Sequence, residues 1–262
     1  MRERLQTIQK GALILTTSKF KERPLYTLRF NTENRSYESN LKTLLSLIDE
    51  TPEEAIIVAP EVCLTNFDYD SFDKAANFTK IALPILLKRS ENKTIILTVI
   101  ERRADGVYNV AKVLHKGRVV HEQAKAYLFK FGGEHDYFSA GSSDEIVLFE
   151  IDGIKMGIMI CFELRFKKLW QKLEGADIIA VPSQWGKIRT QNFLSLTNAL
   201  AIMNQCYVMA SDTSNSDMTG MSGIISPFGA EVRNNDTACL EGLYSEKEIT
   251  KMRRYLEVGI ET

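Results

Sequence analysis

The sequence predicts an α/β domain built on a mixed sheet, and two observations carry that expectation. Apolar, β-branched runs alternate with helix-like segments along the whole chain. Several neighbouring runs are joined only by tight turns, so hairpins are mixed with crossover helices.

Taken in order, the strand-like runs are PLYTLRF (24–30), AIIVAP (55–60), TIILTVI (94–100), VYNVAKVLH (107–115), IVLFEI (146–151), KMGIMI (155–160), DIIAVP (177–182), CYVMASD (206–212) and SGIISPF (222–228). Helical stretches lie between them at 36–50, 71–90, 165–175 and 191–205. In the first, Leu41, Leu44, Leu45 and Ile48 recur at helical spacing, with Asn40 and Lys42 off that face. Gly175 follows Glu174 where the third should stop. Hairpin turns are expected near ADG (104–106) and HKG (115–117), and Asp152–Gly153 is a strong two-residue turn signal. The chain shows no Pro/Gly/Ser linker, low-complexity tract or internal repeat, so a single domain over 1–262 is expected.

Bulk composition narrows the function classes. The chain has 262 residues and a formal net charge of −1, which argues against a nucleic-acid footprint or a polybasic membrane anchor. No stretch approaches the roughly 20 apolar residues that span a bilayer. The N-terminal GALIL run is too short for a secretory h-region and reads as an extension of the folded domain, a weak signal peptide being the minor alternative. The cysteines Cys63, Cys161, Cys206 and Cys239 show no CxxC spacing, and a disulfide framework is not expected, which fits a reducing cytoplasm. His115, His121 and His135 form no metal-binding pattern, so neither metal nor cofactor is implied.

Three segments carry chemistry. In KMGIMICFELRF (155–166) a buried strand ends on Cys161, just before a helix. A buried structural cysteine is the plain reading. The alternative is a nucleophile elbow that projects the sulfur into a cleft, with nearby helix N–H groups favouring the thiolate. In IIVAPEVCLTNFDY (56–69) a strand ends on Pro60–Glu61. Glu61 stands between apolar stretches, and a buried carboxyl of raised pKa can serve as a base near neutral pH. Cys63 is expected only to pack. In HEQAKAYLFKFGGEHDYFSAG (121–141), Lys125 and Glu134 are either surface charges or an ammonium and a second carboxylate delivered to the same cleft. No GxSxG elbow exists, so a Ser-His-Asp hydrolase is disfavoured.

These segments, with GADIIAVPSQW (175–185), ALAIMNQCYVMAS (199–211) and MSGIISPFG (221–229), stand in an order that resembles the nitrilase superfamily of carbon–nitrogen hydrolases. The resemblance covers roughly residues 24–260, leaving 1–23 as an extension that could be an added hairpin, a partner-contacting arm or a tail. It implies a four-layer αββα sandwich and a Glu-Lys-Cys triad matched by Glu61, Lys125 and Cys161. Glu134 matches a second glutamate found in amidase-type members. The implied chemistry uses no metal and no cofactor. Glu61 takes the thiol proton, Cys161 attacks, and Lys125 with the Phe162 backbone N–H holds the oxyanion. The implied substrate is a small linear carboxamide or N-carbamoyl compound, and a homodimer or higher homo-oligomer is expected through the 165–175 and 191–205 helices. Nitrile hydrolysis and a catalytically silent scaffold are the alternatives.

Further expectations attach to single positions. Glu163 and Arg165 match the acid and arginine of the cysteine motif, where local ion pairing and backbone hydrogen bonds would fix the elbow. Gln184 and Trp185 follow a strand end and are candidate pocket walls, with core packing the equal alternative for Trp185. Lys187 and Arg189 could meet a substrate carboxylate or be solvated loop charges. Asn66 stands where relatives often have glycine, and asparagine tolerates the left-handed turn that position requires. Leu200 and Met203 replace a frequent arginine and glutamate, and Tyr127 replaces a frequent histidine.

Overall fold

The computed structural model describes residues 20–233 and 236–260. The expectation for residues 1–23 falls mostly outside them. In chain order the elements are β1 (Glu22–Leu28), α1 (Tyr37–Asp49), β2 (Ile56–Val58), α2 (Phe72–Arg89), β3 (Thr94–Arg103), β4 (Gly106–His115), β5 (Arg118–Ala124), α3 (Glu134–Tyr137), β6 (Phe149–Ile151), β7 (Ile154–Ile158), α4 (Lys167–Lys172), β8 (Ile178–Ser183), α5 (Thr190–Met203), β9 (Tyr207–Asp212), β10 (Gly223–Ile225), β11 (Glu231–Val232), β12 (Cys239–Ser245) and α6 (Glu246–Tyr255).

The strands form two mixed six-stranded sheets, ordered β12-β1-β2-β3-β4-β5 and β11-β10-β9-β8-β7-β6. Period-two alternation explains how they stack. In β2, Ile56 and Val58 face the core between the sheets, whereas Ile57 joins the layer under α1 and α2. On the second sheet, a Cβ on Gly157 would lie 2.7 Å from Leu173, so β7 turns its smallest residue to the α4 side. The result is the expected αββα sandwich.

The hairpin signals hold. Asp152 and Gly153 both have positive φ, as do Lys116 and Gly117, the geometry of a two-residue primed turn. The differences lie at element ends. The 146–151 strand shortens to Phe149–Ile151, and the 165–175 helix shortens to α4, preceded by a 3₁₀ turn over Cys161–Arg165. β12 and α6 were not anticipated. β12 reads CLEGLYS, a strand interrupted by Gly242, which packs under Ile224. Asn40, expected off the apolar face of α1, is buried there. It donates to the Leu64 carbonyl at 3.2 Å and so ties α1 to the segment that follows Glu61.

β2 and β3 run parallel in one sheet, and β7, β8 and β9 in the other. Their carboxyl ends therefore gather at one edge of the sandwich. The chain leaves β2 toward Glu61, β7 toward Cys161 and β8 toward Gln184 at that edge. Among the described residues no helix is long and apolar enough to cross a membrane.

Candidate active site

Four expected residues meet there. Lys125 Nζ lies 2.7 Å from Glu61 Oε1 and 2.8 Å from Glu134 Oε1, with the Lys125 and Glu61 side chains wholly buried. The Cys161 thiol donates to the Gln184 carbonyl at 3.6 Å, and the buried Glu61 carboxyl acts on it electrostatically.

Local backbone explains how each side chain is aimed. Cys161 has φ of 48°, so the chain turns sharply as it leaves β7. On the acid side Val62, directly after Glu61, has φ of 41°, a strained conformation for a β-branched residue. Its N–H donates to Thr98 Oγ1 at 2.6 Å, which holds the kink. Asn66 has φ of 57°, as expected, and its Oδ1 accepts from Gln184 Nε2. Gly133, with φ of 77°, starts the short helix that carries Glu134 inward, and Glu134 Oε2 accepts from the Phe129 N–H at 2.9 Å.

Burial governs the electrostatics. Desolvation raises the Glu61 pKa, Lys125 pulls it down and Glu134 pushes it up. The Cys161 thiol is pushed well above its ordinary value by burial and by Glu61, with Lys125 opposing. This corrects the expectation of a thiolate favoured by helix N–H groups. α4 begins only at Lys167, six residues on, and has six residues. Burial thus favours the protonated sulfur, beside a buried carboxyl group. Lys125 stays protonated because two carboxylates outweigh its desolvation.

Glu163 is the internal brace of the elbow. It is fully buried, accepting from Ile160 N–H at 2.7 Å through Oε2 and from Ala126 N–H at 2.7 Å through Oε1. It thus clamps the cysteine turn to the lysine loop. Burial pushes its pKa up to about 7. The expected ion pair with Arg165 is not formed. Arg165 instead bonds Asn192 Oδ1 at 2.9 Å and lies over the Trp185 ring. Tyr127 stacks on Phe166 under Lys168.

Gln184 does more than line a wall. Its backbone N–H donates to Glu61 Oε2 at 3.2 Å, and its Nε2 donates to the Glu61 carbonyl at 3.0 Å. Trp185 is both core and wall. It packs on Phe193 and lines a cavity of about 30 Å³ at Cys161, together with Phe129, Glu134, Phe162 and Arg189. Outside lies a cleft of about 720 Å³ whose lining includes Asn66, Phe67, Tyr69, Phe131, Lys187 and Arg189.

Two functional positions escaped the sequence reading. Asn109, on β4, donates to Glu61 Oε1 at 2.8 Å, and its carbonyl accepts the Lys125 N–H. Its signal was a lone amide inside an apolar strand. Asp212, at the end of β9, accepts from the N–H groups of Trp185 (2.8 Å) and Gly220 (3.0 Å) and from Thr219 Oγ1, and burial raises its pKa to about 7. It fixes the loop bearing Trp185. Among the described residues, no group of His, Cys, Asp and Glu is placed to hold a metal ion.

Fold and site together define a nitrilase-like hydrolase, an αββα sandwich with an acid, an amine and a thiol buried at the strand ends. Residues 29–244 match the carbon–nitrogen hydrolase family model, and the chain belongs to that family. It is 31% identical over 214 residues to the 2-oxoglutaramate amidase of Bacillus subtilis, covering 77% of this chain and 82% of that one. It is 26% identical to the omega-amidase YafV of Escherichia coli K12, covering 77% and 80%. Saccharomyces cerevisiae Nit3, of the nitrilase superfamily, superposes with a TM-score of 0.80 at 19% identity, over 91% of this chain and 95% of that one.

Proposed function

We propose that the protein hydrolyses a small linear carboxamide through a Cys161 thioester. The observation that carries this reading is the buried contact of Lys125 with Glu61 and Glu134, coupled electrostatically to the buried Cys161 thiol. Relatives named as amidases support the amide over the N-carbamoyl substrate.

The geometry supports the following sequence. Glu61 as carboxylate takes the thiol proton while sulfur bonds to the amide carbon, giving a tetrahedral oxyanion. An ammonium has three N–H bonds, and among the described residues Lys125 donates to two carboxylates, which leaves one for the oxyanion. The Phe162 backbone N–H, next after the cysteine turn, is the second donor. Glu61, now protonated, gives its proton to the departing nitrogen as the C–N bond breaks, releasing ammonia and leaving a thioester. It then takes a proton from water, whose oxygen attacks the thioester. Collapse expels sulfur, which is reprotonated, and frees the acid. Glu134 keeps Lys125 in place and holds the Glu61 pKa up, which suits a group that both accepts and donates a proton.

A high thiol pKa fits this concerted use of Glu61. The test is ammonia release from a panel of small amides, carbamoyl compounds and nitriles, with Cys161→Ala in parallel. Activity on amides that vanishes in the variant is the expected result. Ammonia from nitriles alone would overturn the amide reading.

We further propose a homodimer through the α4 and α5 faces. Met203 is 64% and Ile202 42% exposed on α5, an apolar surface that association would cover, and light scattering of the purified protein checks it. Four free cysteines support a reducing, cytoplasmic setting.

A further inference from the structure

Resting on the amidase reading, we propose that Asn109 is a positioning residue that decides which oxygen of Glu61 carries the proton. With Lys125 it occupies Oε1, so that Oε2 alone takes the proton from Cys161 and passes it to the departing nitrogen.

The acceptor sites of the carboxylate point to this division. A carboxylate offers about four lone-pair sites, shared equally between its oxygens. At Oε1, Lys125 Nζ takes one at 2.7 Å and Asn109 Nδ2 takes the other at 2.8 Å. At Oε2, the Gln184 N–H takes one at 3.2 Å. Among the described residues no nitrogen donor takes the last site, which lies on Oε2. A proton arriving at Glu61 has that site open to it and finds Oε1 filled.

The two oxygens are also held by different sheets. Asn109 stands on β4 and Lys125 directly follows β5, both in the first sheet, and the Lys125 N–H bonds the Asn109 carbonyl at 2.8 Å. Gln184 directly follows β8, and Cys161 comes after β7, both in the second sheet. The residue that donates to Oε2, Gln184, also accepts the Cys161 thiol at its carbonyl. Oε2 is therefore the oxygen on the side of the sulfur, and Oε1 is anchored on the side away from it.

The far end of the Asn109 amide supplies a second observation. Asn109 is 1% exposed, and its Oδ1 is buried with no hydrogen-bond partner among the described residues. An unsatisfied buried carbonyl costs free energy. Turning the amide over would set Oδ1 against Oε1, two acceptors face to face, unless Oε1 carried a proton. The amide thus leaves its own oxygen unpaired and keeps its donor on Oε1, which marks Oε1 as the oxygen without the proton. Without Asn109 the second site of Oε1 would open, and a proton placed there would be turned away from the sulfur. With it, one proton shuttles at Oε2: from sulfur as the S–C bond forms, to nitrogen as the C–N bond breaks, from water as its oxygen bonds the thioester carbon, and back to sulfur as the S–C bond breaks.

The experiment has a structural arm and a kinetic arm. Neutron diffraction from deuterium-exchanged crystals of Cys161→Ala, held at a pH below the acid limb of the wild-type profile, locates the proton without any turnover. Deuterium on Glu61 Oε2, with Asn109 Nδ2 still donating to Oε1, is the expected result. Deuterium on Oε1 facing a reversed Asn109 amide, or on neither oxygen, would overturn the assignment. In the kinetic arm, Asn109→Leu keeps the side-chain volume and removes the donor. It should move the acid limb of kcat/KM upward by about one pH unit and lower kcat about tenfold. KM should hardly change, because Asn109 is not among the residues lining the cavity at Cys161. A limb that stays in place, or a loss carried by KM alone, would reduce Asn109 to packing and overturn the proposal. Silence of the wild type on every amide would sink the amidase reading itself, while the position of the deuterium would still decide the role of Asn109.

Discussion

The two edges of the sandwich carry similar contacts and opposite chemistry. At the amino-end edge of the parallel strands, Lys116 Nζ lies 2.6 Å from Asp152, with the side chains 56% and 36% exposed. At the carboxyl-end edge, Lys125 Nζ lies 2.7 Å from Glu61 with both side chains fully buried. Distance does not separate these pairs; burial does. Water screens the first, where the Lys116 hydrogen bond merely draws the Asp152 pKa below its usual value. In the second, desolvation raises the pKa of a carboxyl and of a thiol together. The interior can hold those charges because Glu61 is multiply bonded, by Lys125 and Asn109 at Oε1 and by the Gln184 N–H at Oε2.

If burial makes the difference, breaking the buried edge must cost the most. Cys161→Ala should lower kcat by at least about a thousandfold while the chain still folds, since it removes only the sulfur. Circular dichroism beside the ammonia assay checks both halves. Glu61→Gln should lose a similar factor, because no neighbouring carboxylate is placed to move the proton twice. Wild-type kcat/KM should fall as pH drops, since protonation consumes the base, and the acid limb should lie above the ordinary carboxylate range. A limb at the ordinary glutamate value would mean that desolvation does not dominate.

Lys125→Met comes next and is the sharpest contrast. It strands Glu61 and Glu134 in the interior without their cation, and breaking a buried pair typically costs about 3–5 kcal/mol. Denaturant midpoints should show a large drop, with kcat reduced more than KM is raised if Lys125 also serves the oxyanion. Asn109→Ala should act more gently. The amide donor favours the charged form of Glu61, so its loss raises the carboxyl pKa further and moves the acid limb of kcat/KM to higher pH, with kcat down by about tenfold. An unmoved limb would make Asn109 a packing residue only.

How far the sequence exposed this contrast depended on whether a signal was local. Cys161 and Glu61 stood out locally because each ends an apolar run, Lys125 was singled out only by the order of motifs that resembles the nitrilase superfamily, and Asn66 by a turn that needs a left-handed residue. Asn109 and Asp212 were not, since each matters through a partner many residues away in sequence: Asn109 reaches Glu61, and Asp212 reaches the Trp185 N–H. Asn40 was misplaced because a helical wheel ranks an amide as polar, whereas the Leu64 carbonyl gave it a buried partner. The resemblance suggested that Glu163 and Arg165 fix the elbow by local ion pairing and backbone hydrogen bonds. The backbone bonds form, two N–H groups reaching Glu163 at 2.7 Å, whereas Arg165 turns to Asn192. The short β12 and the polar α6 lacked the uninterrupted periodicity that marked other elements.

The smallest effect belongs to the exposed edge, and it tests the comparison from the other side. Lys116→Ala removes an ammonium 2.6 Å from Asp152, closer than Lys125 stands to Glu61, so a rule based on distance alone would forecast comparable damage. Screening and side-chain entropy reduce the expected cost to at most about 0.5 kcal/mol, with turnover unchanged. His115, 3.4 Å from the same carboxylate, remains to interact with it when protonated. The Asp152 pKa is depressed in the folded chain, so its contribution is present above the unfolded value and lost as pH falls through the folded one. In Lys116→Ala that acid-side loss should shrink. A Lys116→Ala/Asp152→Asn cycle in denaturant at neutral pH should therefore return a coupling of a few tenths of a kcal/mol, falling further in high salt. A coupling of several kcal/mol at this edge would show that proximity alone suffices, and would remove burial as the reason the other edge is chemically competent.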